Sequence, residues 1–254
     1  MVVAGNCLYV ESENTKLLID AGVSLKKIET GLETLNVSPS SLDGILVTHE
    51  HSDHIQSLGN LSKKFNLPVY ANSETFDAMP KQTDKISAKN INKFKVTEKF
   101  QIKDIEVDPF SIPHDAANPC GFNISNNSDK ISIATDIGHM TNDILKQLED
   151  SKFILLESNY DTEVLKCSKY PYLLKQRIAG PNGHLSNEVA SKVINYLLQG
   201  NLKTAMLGHL SKESNFPELA YQTVVDEIIR AGTDVSKLNL SVASRDKVGN
   251  LIHI

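Results

Sequence analysis

The run Thr48-His49-Glu50-His51-Ser52-Asp53-His54 constrains this chain more than any other stretch. Three imidazoles and a carboxylate crowd into the six residues from His49 to His54, directly after the apolar Gly44-Ile45-Leu46-Val47. In extended backbone the side chains at i and i+2 point to one side, so His49 and His51 are expected to converge at a strand end. The following turn then aims Asp53 and His54 at a second point nearby. Imidazole nitrogen and carboxylate oxygen are ligands that Zn²⁺, Fe and Mn²⁺ accept. The spacing suggests two adjacent metal ions rather than one. The helical H-E-x-x-H pattern, which needs i,i+4 histidines, is absent here. With only 8 His in 254 residues, chance clustering is a poor explanation.

At 254 residues the chain can bury a sizeable core as one large domain or two small ones. Its 40% hydrophobic and 22% charged content is ordinary for a globular protein. No apolar run approaches the roughly 18 residues of a membrane span, so no membrane partner is expected. Met1-Val2-Val3-Ala4-Gly5 lacks the charged head and long apolar run of a secretory signal. Cys7, Cys120 and Cys167 are odd in number and far apart, which argues against a disulfide framework. A reducing cytoplasm fits best.

The net charge of −5 argues against wholesale binding of polyanions, but the charge is uneven. Seven lysines between Lys81 and Lys103 stand against Asp84 and Glu98, a local balance of +5, so the rest carries −10. The leading reading of this stretch is a solvated face. The alternative is a local patch that contacts phosphates.

Strand-like apolar runs recur at Leu8-Val10, Leu17-Ile19, Ile45-Val47, Val69-Tyr70, Ile105-Val107, Ile131-Ala134, Phe153-Leu156, Thr204-Leu207 and Leu238-Val242. Helical spacing marks Leu25 to Leu35, Thr141 to Glu149, Asn187 to Leu198 after a Ser186 N-cap, and Phe216 to Ala231 with Pro217 first and Gly232 as the stop. The middle, from Lys85 to Lys130, reads as β-rich. No Pro- or Ser-rich linker divides the chain, which suits a single domain, residues 1–254, of two sheets covered by helices.

A two-metal site needs more ligands than the opening run supplies. His114 follows Val107-Pro109-Phe110-Ile112, Asp136 follows Ile131-Ala134, and His209 follows Ala205-Gly208. Each stands just past an apolar strand, where side chains of different strands can meet at one sheet edge.

These residues resemble the metallo-β-lactamase superfamily, with its H-x-H-x-D-H motif followed by separate His, Asp and His motifs. The resemblance covers nearly the whole chain and implies a four-layer αββα sandwich of α/β (α+β) class. Asp20, in Leu17-Leu18-Ile19-Asp20-Ala21-Gly22, matches a carboxylate that supports the site without binding metal. By the resemblance, His49, His51 and His114 hold the first metal, Asp53, His54 and His209 the second, and Asp136 bridges them. A closer likeness is to the WalJ (YycJ-like) branch of bacterial DNA nucleases. It rests on Gly5-Asn6, Leu156-Glu157-Ser158-Asn159, Gly183-His184-Leu185-Ser186-Asn187 and Gly208-His209-Leu210-Ser211-Lys212-Glu213-Ser214-Asn215.

Two departures stand out. The branch opens with a strand and a Gly/Ser-rich turn, whereas this chain starts at Met1-Val2-Val3-Ala4, so either a shortened first strand or a start codon placed late is expected. Tyr160 stands where a histidine is expected in a Glu-Ser-Asn-His-Asp run.

The reaction implied is phosphodiester hydrolysis, as a 5′–3′ exodeoxyribonuclease acting on DNA through a metal-bridging hydroxide. Asp53 is the residue expected to orient that hydroxide or take its proton. His184, outside the ligand set in a glycine-flanked loop, is the candidate to protonate the leaving oxygen or hold the scissile phosphate. Asn159, Ser211 and Asn215 are candidate substrate contacts, while His139 reads as peripheral and His253 as structural. The same metals would serve a lactonase or a glyoxalase-II-like thioester hydrolase, and a purely structural metal role is a third reading. The nuclease is favoured by the WalJ-like strings and the lysine stretch.

Overall fold

The computed structural model describes residues 5–79, 84–127, 129–245, 247–249 and 251–254. The chain is mixed α/β, with two sheets flanked by helices, and it divides into two compact units. Residues up to Pro109, with Ala116–Cys120 and a short piece from Arg245, form the first; Phe110–Asp115, Gly121–Ser244 and Leu251–Ile254 form the second. Met1–Ala4, where a shortened first strand is expected, lie outside the described residues, as does Lys81 of the lysine stretch.

The first unit opens with β1 (Leu8–Glu11) antiparallel to β2 (Lys16–Ile19), followed by α1 (Leu25–Thr34). Next come β3 (Gly44–Leu46), the short helix α2 (Ser52–Ile55), α3 (Leu58–Phe65), β4 (Val69–Asn72), α4 (Ser73–Ala78) and β5 (Ile91–Phe94). The sheet order is β1-β2-β3-β4-β5, and the strands from β2 onward run parallel. The antiparallel hairpin β6 (Phe100–Ile102) and β7 (Ile105–Ser111) follows. α1 forms because its apolar residues recur at helical spacing; it buries Ile28 and Leu32, and the Ser24 hydroxyl caps its N-terminus by accepting from Lys27 N. Ile28 and Leu32 join Leu18, Ile45, Val47, Leu58, Leu61 and Val69 in this unit's core.

The second unit contains β8 (Cys120–Asn126), β9 (Asp129–Ala134), α5 (Asn142–Leu148), β10 (Phe153–Glu157), α6 (Thr162–Cys167), α7 (Tyr172–Ile178), α8 (Asn187–Leu197), β11 (Thr204–Gly208), α9 (Pro217–Arg230) and β12 (Asn239–Val242). Within this unit the strand order is β12-β11-β10-β9-β8. β8 is antiparallel to β9, and β9 to β12 are parallel. The strands expected from sequence are present. So are the Ser186 N-cap, which accepts from Val189 N, and Pro217 at the start of α9. Ile154, Leu156, Ile194, Leu207 and Val224 are among the buried side chains of this core. Each such aliphatic removed from water contributes about 1.5–3 kcal/mol.

Parallel pairing decides where the polar residues fall. Leu156 pairs with Ala134 and Glu157 with Gly208, so β9, β10 and β11 end at the same edge. In the first unit Ile19 pairs with Leu46, so β2 and β3 likewise end together. The carboxyl ends of parallel strands are where open α/β sheets place their ligands.

Candidate metal centres

In the first unit, Asp20 follows β2 and Thr48-His49 follow β3. Asp20 takes a left-handed backbone (φ 62°), which turns its carboxylate back across the strand ends. One oxygen accepts from Thr48 N at 2.9 Å; the other accepts from Thr48 Oγ1 at 2.8 Å and from His54 Nδ1 at 2.7 Å. His49 is fully buried and His51 sits at the N-cap of α2, with their ring centroids 4.6 Å apart. The His49 and His54 centroids are 4.0 Å apart. Asp53, in the first turn of α2, has Oδ2 at 3.8 Å from His54 Nε2. The convergence expected of His49 and His51, with Asp53 and His54 close by, is therefore present, with a short helix supplying the turn.

Three backbones meet beneath this cluster. Asn6 N donates to Asp53 O at 2.7 Å and Gly22 N donates to Asn6 O at 2.7 Å. A Cβ on Gly22 would lie 1.6 Å from Asp53 O, and one on Gly5 would lie 1.8 Å from Gly22 O, so only glycine fits at either position. Asn6 then extends Nδ2 to within 2.9 Å of His54 Nε2. The Gly5-Asn6 string thus belongs to the cluster.

In the second unit, Asp136 (φ 59°) follows β9, Glu157 ends β10, and His209 (φ 55°) follows β11, again with left-handed turns at two of the strand ends. Glu157 is wholly buried. Its Oε1 accepts from His184 Nδ1 at 2.8 Å and from His209 Nδ1 at 2.7 Å, and its Oε2 accepts from Ile137 N and Leu185 N. Asp136 Oδ1 lies 3.5 Å from His209 Nε2 and 3.7 Å from both His114 Nε2 and His184 Nδ1. Asp136, Glu157, His184 and His209 offer donor atoms all within 4.8 Å of one another. His114 Nδ1 donates to Gly183 O at 3.0 Å.

The donor chemistry fits divalent metal ions. An acceptor at Nδ1 fixes the proton there and leaves the lone pair on Nε2, which is how carboxylates orient ligating histidines. Asp20 does this for His54, Glu157 for His184 and His209, and the Gly183 carbonyl for His114. Burial pushes the His114 imidazole down from its ordinary value, which favours the neutral form that binds metal. Burial alone would raise the Glu157 carboxyl, but the charges and hydrogen bonds of His184 and His209 outweigh it and hold it at about 2.

Sequence reasoning missed Glu157 as a functional residue, although it stands at the end of Phe153-Leu156, in the position used to find the other strand-end residues. His184 joins Asp136 and His209 through it. Its side chain is 16% exposed against 4% for His209, so it has more access to solvent.

The remaining candidates line the same loops. Asn159 is buried and its Nδ2 donates to His209 O at 2.8 Å. Ser211 Oγ accepts from Ser214 Oγ at 2.8 Å and lies 3.4 Å from the Tyr170 hydroxyl. The amide of Asn215 is engaged within the unit: Nδ2 donates to Ser158 O and Asn187 Oδ1 at 2.8 Å each, and Oδ1 accepts from Asn187 Nδ2 and Phe216 N. Ser158 Oγ also donates to Asn187 Oδ1 at 2.6 Å. The three strings that carry the closer likeness in this unit are therefore cross-linked. Tyr160, in place of the expected histidine, packs among Leu165, Ile178, Tyr170 and Leu174. His139 is exposed, with Nδ1 donating to Pro181 O at 2.8 Å. His253 is exposed and lies beyond β12, outside any strand.

Four of the six described lysines of the stretch stand beside acids. Lys95 meets Glu98 at 2.8 Å, Lys99 meets Glu106 at 2.8 Å, Lys103 meets Asp43 at 2.6 Å, and Lys93 lies 3.9 Å from Asp77. This favours the solvated-face reading. Among the described residues no helix is long and apolar enough to cross a membrane.

Residues 15–209 match the beta-lactamase superfamily domain. The chain is 37% identical over 234 residues to the exodeoxyribonuclease WalJ of Streptococcus pneumoniae, covering 91% of this chain and 87% of that protein. It is 37% identical over 233 residues to the exodeoxyribonuclease YycJ of Bacillus anthracis, covering 92% and 88%. The metallo-beta-lactamase fold protein YhfI from Bacillus subtilis superposes with a TM-score of 0.68 at 17% identity, covering 95% of this chain and 90% of that one.

Proposed function

The chain belongs to the β-lactamase superfamily and, within it, to the family of WalJ and YycJ, and we propose that it is a two-metal phosphodiesterase that degrades DNA as an exonuclease. The ligands in this reading are His49, His51 and His114 for one ion, Asp53, His54 and His209 for the other, and Asp136 between them, in one domain spanning residues 1–254. The single observation that carries the nucleic-acid substrate is the 37% identity, over nine-tenths of the chain, to relatives named exodeoxyribonucleases. The donor set alone serves ester and phosphodiester chemistry equally.

When bound, the ions acidify water into a nucleophile and neutralise charge on the phosphoryl oxygens; Zn²⁺, Mn²⁺ and Fe all suit His and Asp ligands. The protein groups do the rest. The Asp53 carboxylate, on the first turn of α2 and partly exposed, orients the attacking water and takes its proton. His184 has its Nδ1 proton on Glu157, so its Nε2 faces the leaving oxygen and delivers the proton there, while the Glu157 charge stabilises the imidazolium beforehand. The Ser211 oxygen already accepts from Ser214, which frees its hydroxyl hydrogen for a phosphate oxygen. Asn159 and Asn215 act by holding the His209 and Ser158 loops. Three free thiols suit a reducing cytoplasm.

The test offers the metal-loaded protein 5′-phosphorylated duplex DNA, the same duplex without the phosphate, a lactone and a thioester. Release of nucleotides with both esters left intact is the expected result. Turnover of lactone or thioester with intact DNA contradicts the reading.

A further inference from the structure

The segment from Asp161 to Gly183 joins the end of β10 to His184 and carries α6 and α7. We propose that it is a stacking platform for an unpaired base of a DNA strand, with Tyr172 beneath the base, Leu173 beside it, and Lys169 and Lys175 on the flanking phosphates. The inference rests on the nuclease reading above and gives it a substrate form: a strand end whose bases are unstacked.

Tyr172 and Leu173 are 72% and 77% exposed, the two most exposed large hydrophobics among the described residues. They sit side by side on the first turn of α7, after Pro171 at its N-cap. Gln176 Nε2 donates to the Tyr172 hydroxyl at 2.9 Å, which ties the ring to the next turn of the helix. The charges around them are basic. Lys166 pairs with Glu163 and Arg177 with Asp115, each at 2.7 Å, whereas Lys169 and Lys175 have no carboxylate partner among the described residues. The segment carries a net +2 in a chain of net −5. An aromatic face flanked by cations is the combination that binds single strands, because every base has a π-face and every nucleotide a phosphate. A second copy of the chain would bring the same positive surface against itself, so charge favours an anionic strand over self-association.

The platform is tied to the second-unit cluster. His184 N donates to Ile178 O, in the last turn of α7, at 2.8 Å. A Cβ on Gly183 would lie 2.2 Å from Arg177 O, so the His184 loop packs directly on the helix end. Arg177 Nε donates to Asp115, the neighbour of His114, and the Tyr170 hydroxyl lies 3.4 Å from Ser211 Oγ. Seven residues of α7 span about 10 Å. Tyr172, on the first turn, and Ile178, whose carbonyl accepts from His184 N, therefore stand at opposite ends of one short helix.

The chain has no Trp, so Tyr172→Trp introduces its sole indole. Titrating this variant with a 5′-phosphorylated single-stranded oligonucleotide is expected to quench its fluorescence. The same strand with abasic sites at its first few positions is expected to leave it unquenched. The double variant Tyr172→Ala with Leu173→Ala is expected to bind the oligonucleotide roughly 5- to 100-fold more weakly, with an unchanged urea midpoint, and Tyr172→Phe to keep wild-type affinity. Equal quenching by the abasic strand, or wild-type affinity of the double variant, overturns the platform. So does a double variant that sediments as a monomer where the parent is a dimer, with DNA affinity intact. Quenching needs no cleavage, so a Trp variant that is quenched by DNA while wild-type protein cleaves none overturns the nuclease and leaves the platform standing.

Discussion

His184 and His209 share one acceptor: each directs Nδ1 at Oε1 of Glu157, at 2.8 and 2.7 Å. A single buried carboxylate therefore sets the tautomer of both rings, with His209 Nε2 at 3.5 Å and His184 Nδ1 at 3.7 Å from Asp136 Oδ1. Glu157→Gln keeps the shape but removes the charge and offers a weaker acceptor. Metal affinity is expected to fall about 10- to 100-fold, the range for lost supporting carboxylates. A chelator-competition titration reads this directly, and wild-type affinity in the variant would show that Glu157 does not brace the ligands.

Acid should destabilise the metal-free protein in two steps of the same sign. His114 is held below its ordinary 6.5 by burial, so the unfolded chain takes up that proton first and stability drops as pH falls below 6.5. Glu157 is held at about 2 against an ordinary 4.5, so its contribution is complete above 4.5 and is lost as pH falls toward 2. Urea unfolding with chelator at pH 7, 5 and 3 measures both. Glu157→Gln should abolish the step between pH 4.5 and 2 and spare the one above it; parallel curves for variant and parent would contradict the assignment.

Much of the site is legible in the sequence because its strand-end residues obey one rule: each stands just past the carboxyl end of an apolar strand. That rule finds Asp20, His49, His114, Asp136 and His209. Glu157 obeys it too, but a glutamate closing an apolar strand carries no motif of its own. The missed elements have physical reasons. In β8, Cys120, Phe122 and Ile124 alternate with Gly121, Asn123 and Ser125, so the strand has none of the continuous apolar runs that mark the others. Asn123 is nonetheless buried, because its Oδ1 accepts from Ser132 Oγ at 2.6 Å and its Nδ2 donates to Gln147 at 3.2 Å. In α7 the adjacent Tyr172 and Leu173 break the helical apolar stripe, because both face solvent.

The meeting of Gly22 with the Asp53 carbonyl makes a contrast between two glycines. Gly22→Ala must push the backbone of the histidine run away from Asn6, at a cost on the order of 3 kcal/mol, and should lower metal affinity as well. Gly31, inside α1, has only Val248 Cγ2 near its virtual Cβ, at 3.4 Å. Gly31→Ala should therefore stabilise by about 0.5–1 kcal/mol through helix propensity. Denaturation midpoints of the two variants check both signs. Equal effects would show that the close approach at Gly22 is not the constraint.

The three thiols should separate by burial. Cys167 is exposed, whereas burial pushes Cys7 up to about 12 and Cys120 higher still, with Asp20 adding to both. The thiolate is the reactive form, so iodoacetamide at pH 8 should modify Cys167 alone in the folded protein and all three cysteines in urea. Peptide mapping by mass spectrometry reads the outcome. Rapid native labelling of Cys120 would contradict the burial of this strand end.

The central claim is that His49, His51, Asp53, His54, His114, Asp136 and His209 hold two ions that cleave DNA. Adding metal stepwise to chelator-stripped protein, while counting bound ions and the nucleotides released from 5′-phosphorylated duplex DNA, tests it most directly. Two ions bound per chain, with cleavage rising as the second site fills, is the expected result. Full cleavage by the stripped protein, or a fully loaded protein that leaves the DNA intact, would contradict it.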